Sequence, residues 1–181
     1  PQDALTAPKV RALITQAAEE RKPLTEFWVD LHQKYGEKLI SPMLSLLQDE
    51  RERDQVRWAT LFGVARISGK KSHEILKKYS QHKSWVLRDA SLRAMAAVNA
   101  RELAPSIESA LHDKALVVRT TAVDVINHLK LQSSFPKVLA VFKDSENYRR
   151  GHALWIHDHA LSLLKDNQYT PAVETLVELL E

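Results

Sequence analysis

Apolar residues recur along this chain at helical spacing, in segments that short polar turns separate. In the segment Ser84–Asn99, the side chains of Leu87, Leu92, Met95 and Val98 share one face of a helix, because residues three or four positions apart lie on the same side. This periodicity predicts helices at about 5–20, 25–35, 41–48, 54–68, 71–80, 84–99, 102–112, 116–130, 135–143, 148–165 and 170–180. It predicts no strand.

An arginine recurs every 31 residues, at Arg57, Arg88, Arg119 and Arg150. Apolar residues accompany the first three arginines at one position before and at four, seven and ten positions after. The fourth arginine fits only in part, because His157 stands seven positions after it. A fixed period of this length indicates a repeat architecture, in which the terminal unit is often atypical.

A shorter apolar helix precedes each arginine helix. Its markers are Met43-Leu44, Ile75-Leu76, Ile107 with Leu111, and Val138-Leu139 with Phe142. A helical pair of this size cannot bury its apolar face alone, so successive pairs are expected to stack into an all-α solenoid. We predict a single domain over 1–181, with capping helices at 1–40, repeats at 41–165 and a capping helix at 166–181.

The repeat resembles the HEAT repeat, in the short form found in bilin-lyase-type HEAT-like proteins. The resemblance is carried by Val56-Arg57, Leu87-Arg88-Asp89-Ala90 and Val118-Arg119-Thr120-Thr121-Ala122. It implies a right-handed α-solenoid of stacked hairpins whose longer helices line a concave face, and it says little about activity. It also implies an Asp six residues before each arginine. Asp113 and Asp144 have that spacing, whereas Arg51 and His82 occupy the place in the earlier repeats.

The arginine column has two interpretations. We favour a structural role, in which each guanidinium bonds turn carbonyls or an Asp of an adjacent repeat, most strongly for Arg119 and Arg150, where the Asp is present. In the alternative, the column forms a basic stripe for phosphates or acidic side chains. The stripe draws support from residues 51–101, which hold 12 basic and 4 acidic side chains, a net charge of +8 in a chain of net charge +3.

Composition restricts the chemistry of the protein. Because the chain has no cysteine, disulfides, thiolate metal sites and cysteine catalysis are excluded. Apolar residues make up 44% of the chain, but no apolar run approaches the ~20 residues of a membrane span. A cytoplasmic location is the default expectation; since the sequence begins at Pro1, a lost signal peptide stays open.

The histidine-rich segment GHALWIHDHALSLL does not predict a metal site. On a helix, His152 and His159 would share a face, but a helical metal pair needs a spacing of three or four residues. His157 stands in an apolar core position of the repeat. We identify no catalytic residues, metal ligands or cofactor-binding residues.

The expected function is that of a non-enzymatic scaffold that docks a protein or peptide, and we expect this partner to be acidic. The candidate partner-binding residues are Arg57, Arg66, Arg88, Arg93, Asp124 and Trp85. Of these, Arg66, Arg93 and Asp124 lie off the apolar positions and are expected to be exposed, whereas Trp85 is expected to pack at a joint between repeats.

Two alternatives stay open. One is nucleic-acid binding through residues 51–101, and it includes glycosylase activity because Trp85-x-x-Arg88 resembles a motif of DNA alkylation-repeat glycosylases. The other is a structural module of a larger assembly, which would show an exposed apolar end at 1–20 or 170–180.

Overall fold

The computed structural model describes residues 4–179, and the chain is mostly helical, which confirms the all-α prediction at that level. The α-helices are α1 (Ala7–Glu19), α2 (Leu24–Tyr35), α3 (Ile40–Gln48), α4 (Asp54–Ser68), α5 (His73–Tyr79), α6 (Trp85–Ala97), α7 (Ala104–Ser109), α8 (Leu116–Leu129), α9 (Phe135–Leu139), α10 (Ile156–Asp166) and α11 (Ala172–Glu178). Short 3₁₀ turns extend several of them. Within these residues, no helix combines the length and apolar character that a membrane crossing requires.

The chain divides into two compact units, residues 1–100 and residues 101–181. In unit 1, α4 packs against α2, α3 and α6, and α5 packs against both α4 and α6. In unit 2, α8 packs against α7 and α10, and α10 also packs against α9. Each unit therefore contains long helices that lie side by side, with a shorter helix against them.

The long helices end at residues with a positive φ angle. Gly69, Asn99, Lys130 and Gln168 follow α4, α6, α8 and α10 with φ between 48° and 53°. A left-handed residue after the last turn lets its N–H bond a carbonyl of the helix, which ends the helix sharply. These residues are 30, 31 and 38 positions apart, so the last interval is longer than the others.

Helices α2 and α4 of unit 1 approach each other so closely that residue 63 has to be glycine. The indole of Trp28 on α2 is completely buried, and its Nε1–H donates to the carbonyl of Ala59 at 3.0 Å. A Cβ atom on Gly63 would lie 2.4 Å from this indole, closer than real contacts allow. Gly63 therefore gives α2 room to lie against α4.

The fourth arginine helix begins later than predicted because a β-hairpin replaces its first turns. Strands Tyr148–Arg149 and His152–Ala153 pair antiparallel, and the two turn residues, Arg150 and Gly151, have φ of 52° and 80°. Two positive φ angles are typical of a tight hairpin turn. The prediction of no strand and of a helix over 148–165 was wrong here. The regular 31-residue spacing placed Arg150 on a helix, but it lies in this turn.

The pattern of buried positions shows where α10 aligns with the earlier helices. Each long helix buries five positions at the same spacing, and in α10 this set lies 38 residues after that of α8 rather than 31. The sets are Val56, Arg57, Thr60, Gly63 and Val64; Leu87, Arg88, Ser91, Ala94 and Met95; Val118, Arg119, Ala122, Val125 and Ile126; Ile156, His157, Ala160, Leu163 and Leu164. His157 therefore occupies the arginine position, and the hairpin accounts for the seven additional residues.

Candidate functional site

The first three repeat arginines are buried and bond turn carbonyls. Arg57, Arg88 and Arg119 are only 3–5% exposed. The Nε–H of Arg57 donates to the carbonyl of Leu47 at 3.0 Å, and a terminal nitrogen of Arg88 donates to the carbonyls of His82 and Lys83 at 2.9 and 3.0 Å. Buried guanidiniums cannot form an accessible stripe, so the structural interpretation holds for these three side chains.

Arg119 joins two successive turns of unit 2. It donates to the carbonyl of Asp113 at 2.8 Å, to the carbonyl of Glu146 at 2.9 Å and to the side-chain oxygen of Asn147 at 2.9 Å. Arg150 has no such role, because it is exposed in the hairpin turn. The prediction that Arg150 is structural was therefore wrong, and the hairpin is the physical reason.

The turns that precede α4, α6, α8 and the β-hairpin carry a recurring side-chain cap. In each turn, the side chain of one residue accepts the backbone N–H two positions further on, at 2.8–3.0 Å. The capping residues are Asp49, His82, Asp113 and Asp144. Sequence reasoning missed Asp49, because the first turn is two residues longer and Arg51 falls at the regular spacing. The short interval Asp-x-Arg at 49–51 was the available signal.

Two of these capping residues, Asp49 and His82, have pKa values that favour the form that accepts the hydrogen bond. The N–H of Arg51 and its guanidinium both donate to the Asp49 carboxylate, and these bonds lower the pKa of Asp49 below its usual value. At the equivalent place, burial lowers the pKa of His82, and the positive charge of Arg57 lowers it further. A neutral imidazole is the form that can accept the Ser84 N–H, so the lowered pKa favours the capping state.

The residues expected to be exposed on the long helices are exposed. Arg66, Arg93 and Asp124 all lie at the surface. The Nε–H of Arg93 donates to Asp89 at 2.7 Å, and in unit 2 Asp124 lies 2.7 Å from Nδ1 of His159. The Asp89 side chain is 10% exposed, so this carboxylate is mostly occupied by Arg93 and offers little surface to a ligand.

Trp85 is only half-buried. It is the first residue of α6 and is 50% exposed, so its ring does not completely fill a joint between repeats, and the packing of its buried half at such a joint stays a prediction. About half of the ring surface is therefore open to solvent at the start of α6. A half-exposed indole offers a large apolar contact surface with a polar N–H.

Exposed cations lie on two linked turns of unit 1 and on the adjoining end of α5. The turn at 49–53 and the turn at 80–84 are held to each other by Lys83 with Glu50 at 2.8 Å and by the hydroxyl of Ser84 with Asp54. We call the exposed residues here the basic turn edge: Arg51, Arg53, Lys77, Lys78, Lys83 and Trp85. Within residues 4–179, no carboxylate forms an ion pair with Arg53, Lys77 or Lys78. The edge therefore carries unneutralised positive charge.

The histidine-rich segment is divided between two elements. His152 lies exposed in a strand and His159 lies on α10, so they do not share a helical face as predicted. His157 is 6% exposed; its Nδ1 lies 2.9 Å from the carbonyl of Leu154 and therefore carries the proton, while Nε2 has no partner in the part of the chain that is described. Its ring lies against Tyr148 and Phe142.

The basic turn edge offers binding chemistry, namely cations on a rigid frame and one accessible indole. Among residues 4–179, no three His, Asp or Glu side chains converge as metal ligands would. Neither a protein-family model nor a curated protein matches this sequence, so function is argued from the geometry.

Proposed function

We propose that this protein is a non-enzymatic docking module that binds an acidic protein or peptide segment at the basic turn edge of unit 1. The observation that carries the proposal is that Arg53, Lys77 and Lys78, three exposed cations with no ion pair among residues 4–179, lie on or next to two linked turns, the second of which leads into the half-exposed Trp85. Cations attract an acidic segment from a distance, and an aromatic ring at the centre of a contact supplies short-range binding energy.

The frame beneath this edge is rigid, which favours binding. The hydroxyl of Tyr79 donates to the carbonyl of Leu47 at 2.9 Å, the same carbonyl that Arg57 bonds, so both turns are tied to one buried point. The Asp49 and His82 caps fix the local backbone of each turn. A surface that is already ordered loses little conformational entropy when a partner docks.

The finer architecture belongs to the same proposal. We propose that the helical pairs stack as a right-handed, HEAT-like α-solenoid. Support comes from the five buried positions that recur in α4, α6, α8 and α10, and from the recurring turn caps. Such arrays expose long, rigid surfaces that suit scaffold roles.

Nucleic-acid binding is a second candidate, favoured by the same indole. Exposed cations neutralise the phosphates of duplex DNA, and a nearby indole adds an apolar contact surface with a polar N–H. The two candidates differ in their response to salt, because each phosphate contact with duplex DNA lowers log K by about 0.9 per unit of log salt concentration.

The test compares two labelled probes, a poly-glutamate peptide of about 12 residues and a random DNA duplex, at two salt concentrations near 0.05 and 0.15 M. The variant is Arg53→Glu, and the matched control is Lys71→Glu. Both residues are exposed cations that flank α4, and the 15 residues of α4 separate them by about 22 Å.

We expect the peptide to bind, Arg53→Glu to weaken binding about tenfold, and Lys71→Glu to change it less than about twofold. Trp85→Ala should also weaken binding, at both salt concentrations alike, because its contribution is apolar. Equal effects of Arg53→Glu and Lys71→Glu, or no peptide binding, would overturn the proposal. Tight, steeply salt-dependent binding of the duplex alone would favour the second candidate.

A further inference from the structure

An apolar groove lies between α10 and α11 in unit 2. It has a volume of about 510 Å³ and is broadly open to solvent. Its lining is mostly apolar and includes Leu161, Leu164, Tyr169, Ala172, Val173 and Leu176. Leu161 is 42% exposed and Val173 is 61% exposed, so large aliphatic side chains face solvent here.

The equivalent position of Leu161 is covered in each earlier repeat. Four residues after the arginine position stand Leu61 in α4, Leu92 in α6 and Val123 in α8, and each is 0% exposed. Leu161 is the residue at this position in α10. The side chain at this position is therefore buried in α4, α6 and α8, and it is exposed to solvent in α10.

The earlier repeats show which element fills this groove. In unit 1, α6 packs against both α4 and α5, and therefore fills the space between a long helix and the short helix that follows it. In unit 2, α10 does the same with α8 and α9. The groove between α10 and α11 is the next space of this kind, and within residues 4–179 no helix fills it.

We propose that this groove binds an amphipathic α-helix of a partner protein, seated as α10 is seated on α8. The fitting helix has apolar residues three and four positions apart, as α10 has in Ile156, Ala160, Leu163 and Leu164. This inference concerns a surface in unit 2 and does not depend on the basic turn edge.

Charge specifies the partner further. Eight residues after the arginine position, α8 has Asn127, whose side-chain amide donates to Asp166 of α10 at 3.1 Å. The corresponding residue of α10 is Lys165, an exposed cation on the lining of the groove. A helix seated like α10 would bring an acidic residue to Lys165, so the partner helix carries a carboxylate at the end of its apolar stripe.

The test uses a probe with the sequence of α10 itself, a fluorescein-labelled peptide of residues 154–168, titrated with the 181-residue chain. A scrambled peptide of the same composition is the control probe. The variants are Leu161→Asp and Lys165→Glu, with Val29→Asp as matched control, because Val29 is 41% exposed and lies in unit 1. Circular dichroism establishes that each variant is folded.

We expect the peptide to bind with a Kd on the order of 10–100 µM, Leu161→Asp to weaken binding at least tenfold, and Val29→Asp to leave it unchanged. Lys165→Glu should weaken binding several-fold, and a peptide with Asp166→Lys should restore it. That rescue would establish the orientation of the docked helix.

Three results would overturn the proposal: no binding, equal binding of the scrambled peptide, or binding that Leu161→Asp leaves unchanged. Sedimentation velocity tests a different occupant. If the chain alone forms a dimer that Leu161→Asp converts to monomer, a second copy fills the groove and the partner helix is excluded.

Discussion

Helices α8 and α10 bury the same five positions, but they secure their N-terminal turns in different ways. Arg119 on α8 reaches two turns at once through three hydrogen bonds. His157 holds the equivalent place on α10, and among residues 4–179 its ring hydrogen-bonds only the carbonyl of Leu154. The hairpin at 148–153 places the ring of Tyr148 against it, with the ring centres 4.7 Å apart. From this comparison we infer that an arginine at this position links two turns by hydrogen bonds. Where the hairpin packs an aromatic ring against the position, a histidine can stand there instead.

The largest expected effect comes from removing the arginine that makes these bonds. Arg119→Met leaves two carbonyls and the Asn147 amide without a donor, and should lower the free energy of unfolding by about 3 kcal/mol. Arg150→Met, a change of the same type in the exposed turn, should lower it by less than about 0.5 kcal/mol. Urea unfolding measures both. Similar losses for the two variants would contradict the assignment of roles.

The next largest effect on stability is expected at a position where the side chains of α4, α6 and α8 differ in size. Gly63 in α4 corresponds to Ala94 in α6 and Val125 in α8, and only Gly63 lies under an indole. Gly63→Ala should therefore destabilise unit 1 by about 2–3 kcal/mol through overpacking, although alanine favours helix. Ala94→Gly should cost about 1 kcal/mol, mostly from helix propensity. Thermal unfolding distinguishes them; a stabilised Gly63→Ala would show that Trp28 can move.

A smaller effect, an increase in the free energy of unfolding, is expected from a substitution at the end of α8. Lys130 has φ of +52°, in the left-handed region that glycine adopts without strain. Lys130→Gly should raise the free energy of unfolding by about 0.5–1 kcal/mol, whereas Lys137→Gly, inside α9, should lower it. A loss of stability on Lys130→Gly would mean that the lysine side chain contributes more than the backbone strain costs.

The smallest expected effect is a pH dependence of stability that the His82 cap should cause and an aspartate cap should not cause between about pH 5 and 7. The pKa of His82 is lowered from its usual 6.5 by burial, so below that pH the unfolded chain binds a proton that the folded chain does not. Stability should therefore fall as pH decreases from 7 toward the folded pKa of His82. His82→Asp should weaken this dependence, since a carboxylate still caps the turn at pH 5 to 6. Parallel stability curves for the two proteins would exclude His82 as the titrating cap.

Much of the fold could be predicted from periodicity, because each helix is defined by apolar residues on one side. The hairpin could not, since Arg150-Gly151 is a two-residue turn signal inside a segment whose 31-residue spacing pointed to helix. The exposure of Arg66, Arg93 and Asp124 followed from the pattern. The exposure of Trp85 did not, because whether a neighbouring element covers a ring at a helix N-terminus depends on tertiary packing.

The basic turn edge was visible in the sequence only as an excess of charge in residues 51–101. Which cations are available depends on pairs that local pattern does not reveal, such as Arg11 with Glu52 and Lys83 with Glu50. Helix α1 supplies the first of these pairs from 41 residues away in sequence. The repeat arginines are buried, whereas Arg53 and Lys78 are exposed and have no ion pair among residues 4–179, so these two cations belong to the candidate site.

Hydrogen exchange of arginine Nε–H groups, followed by NMR, tests most directly whether the repeat arginines are internal structure. The Nε–H groups of Arg57 and Arg119 are buried donors and should exchange at least about 100-fold more slowly than those of exposed Arg66 and Arg150. Exchange of Arg57 and Arg119 as fast as that of Arg66 would contradict the account and return these arginines to the surface as binding residues.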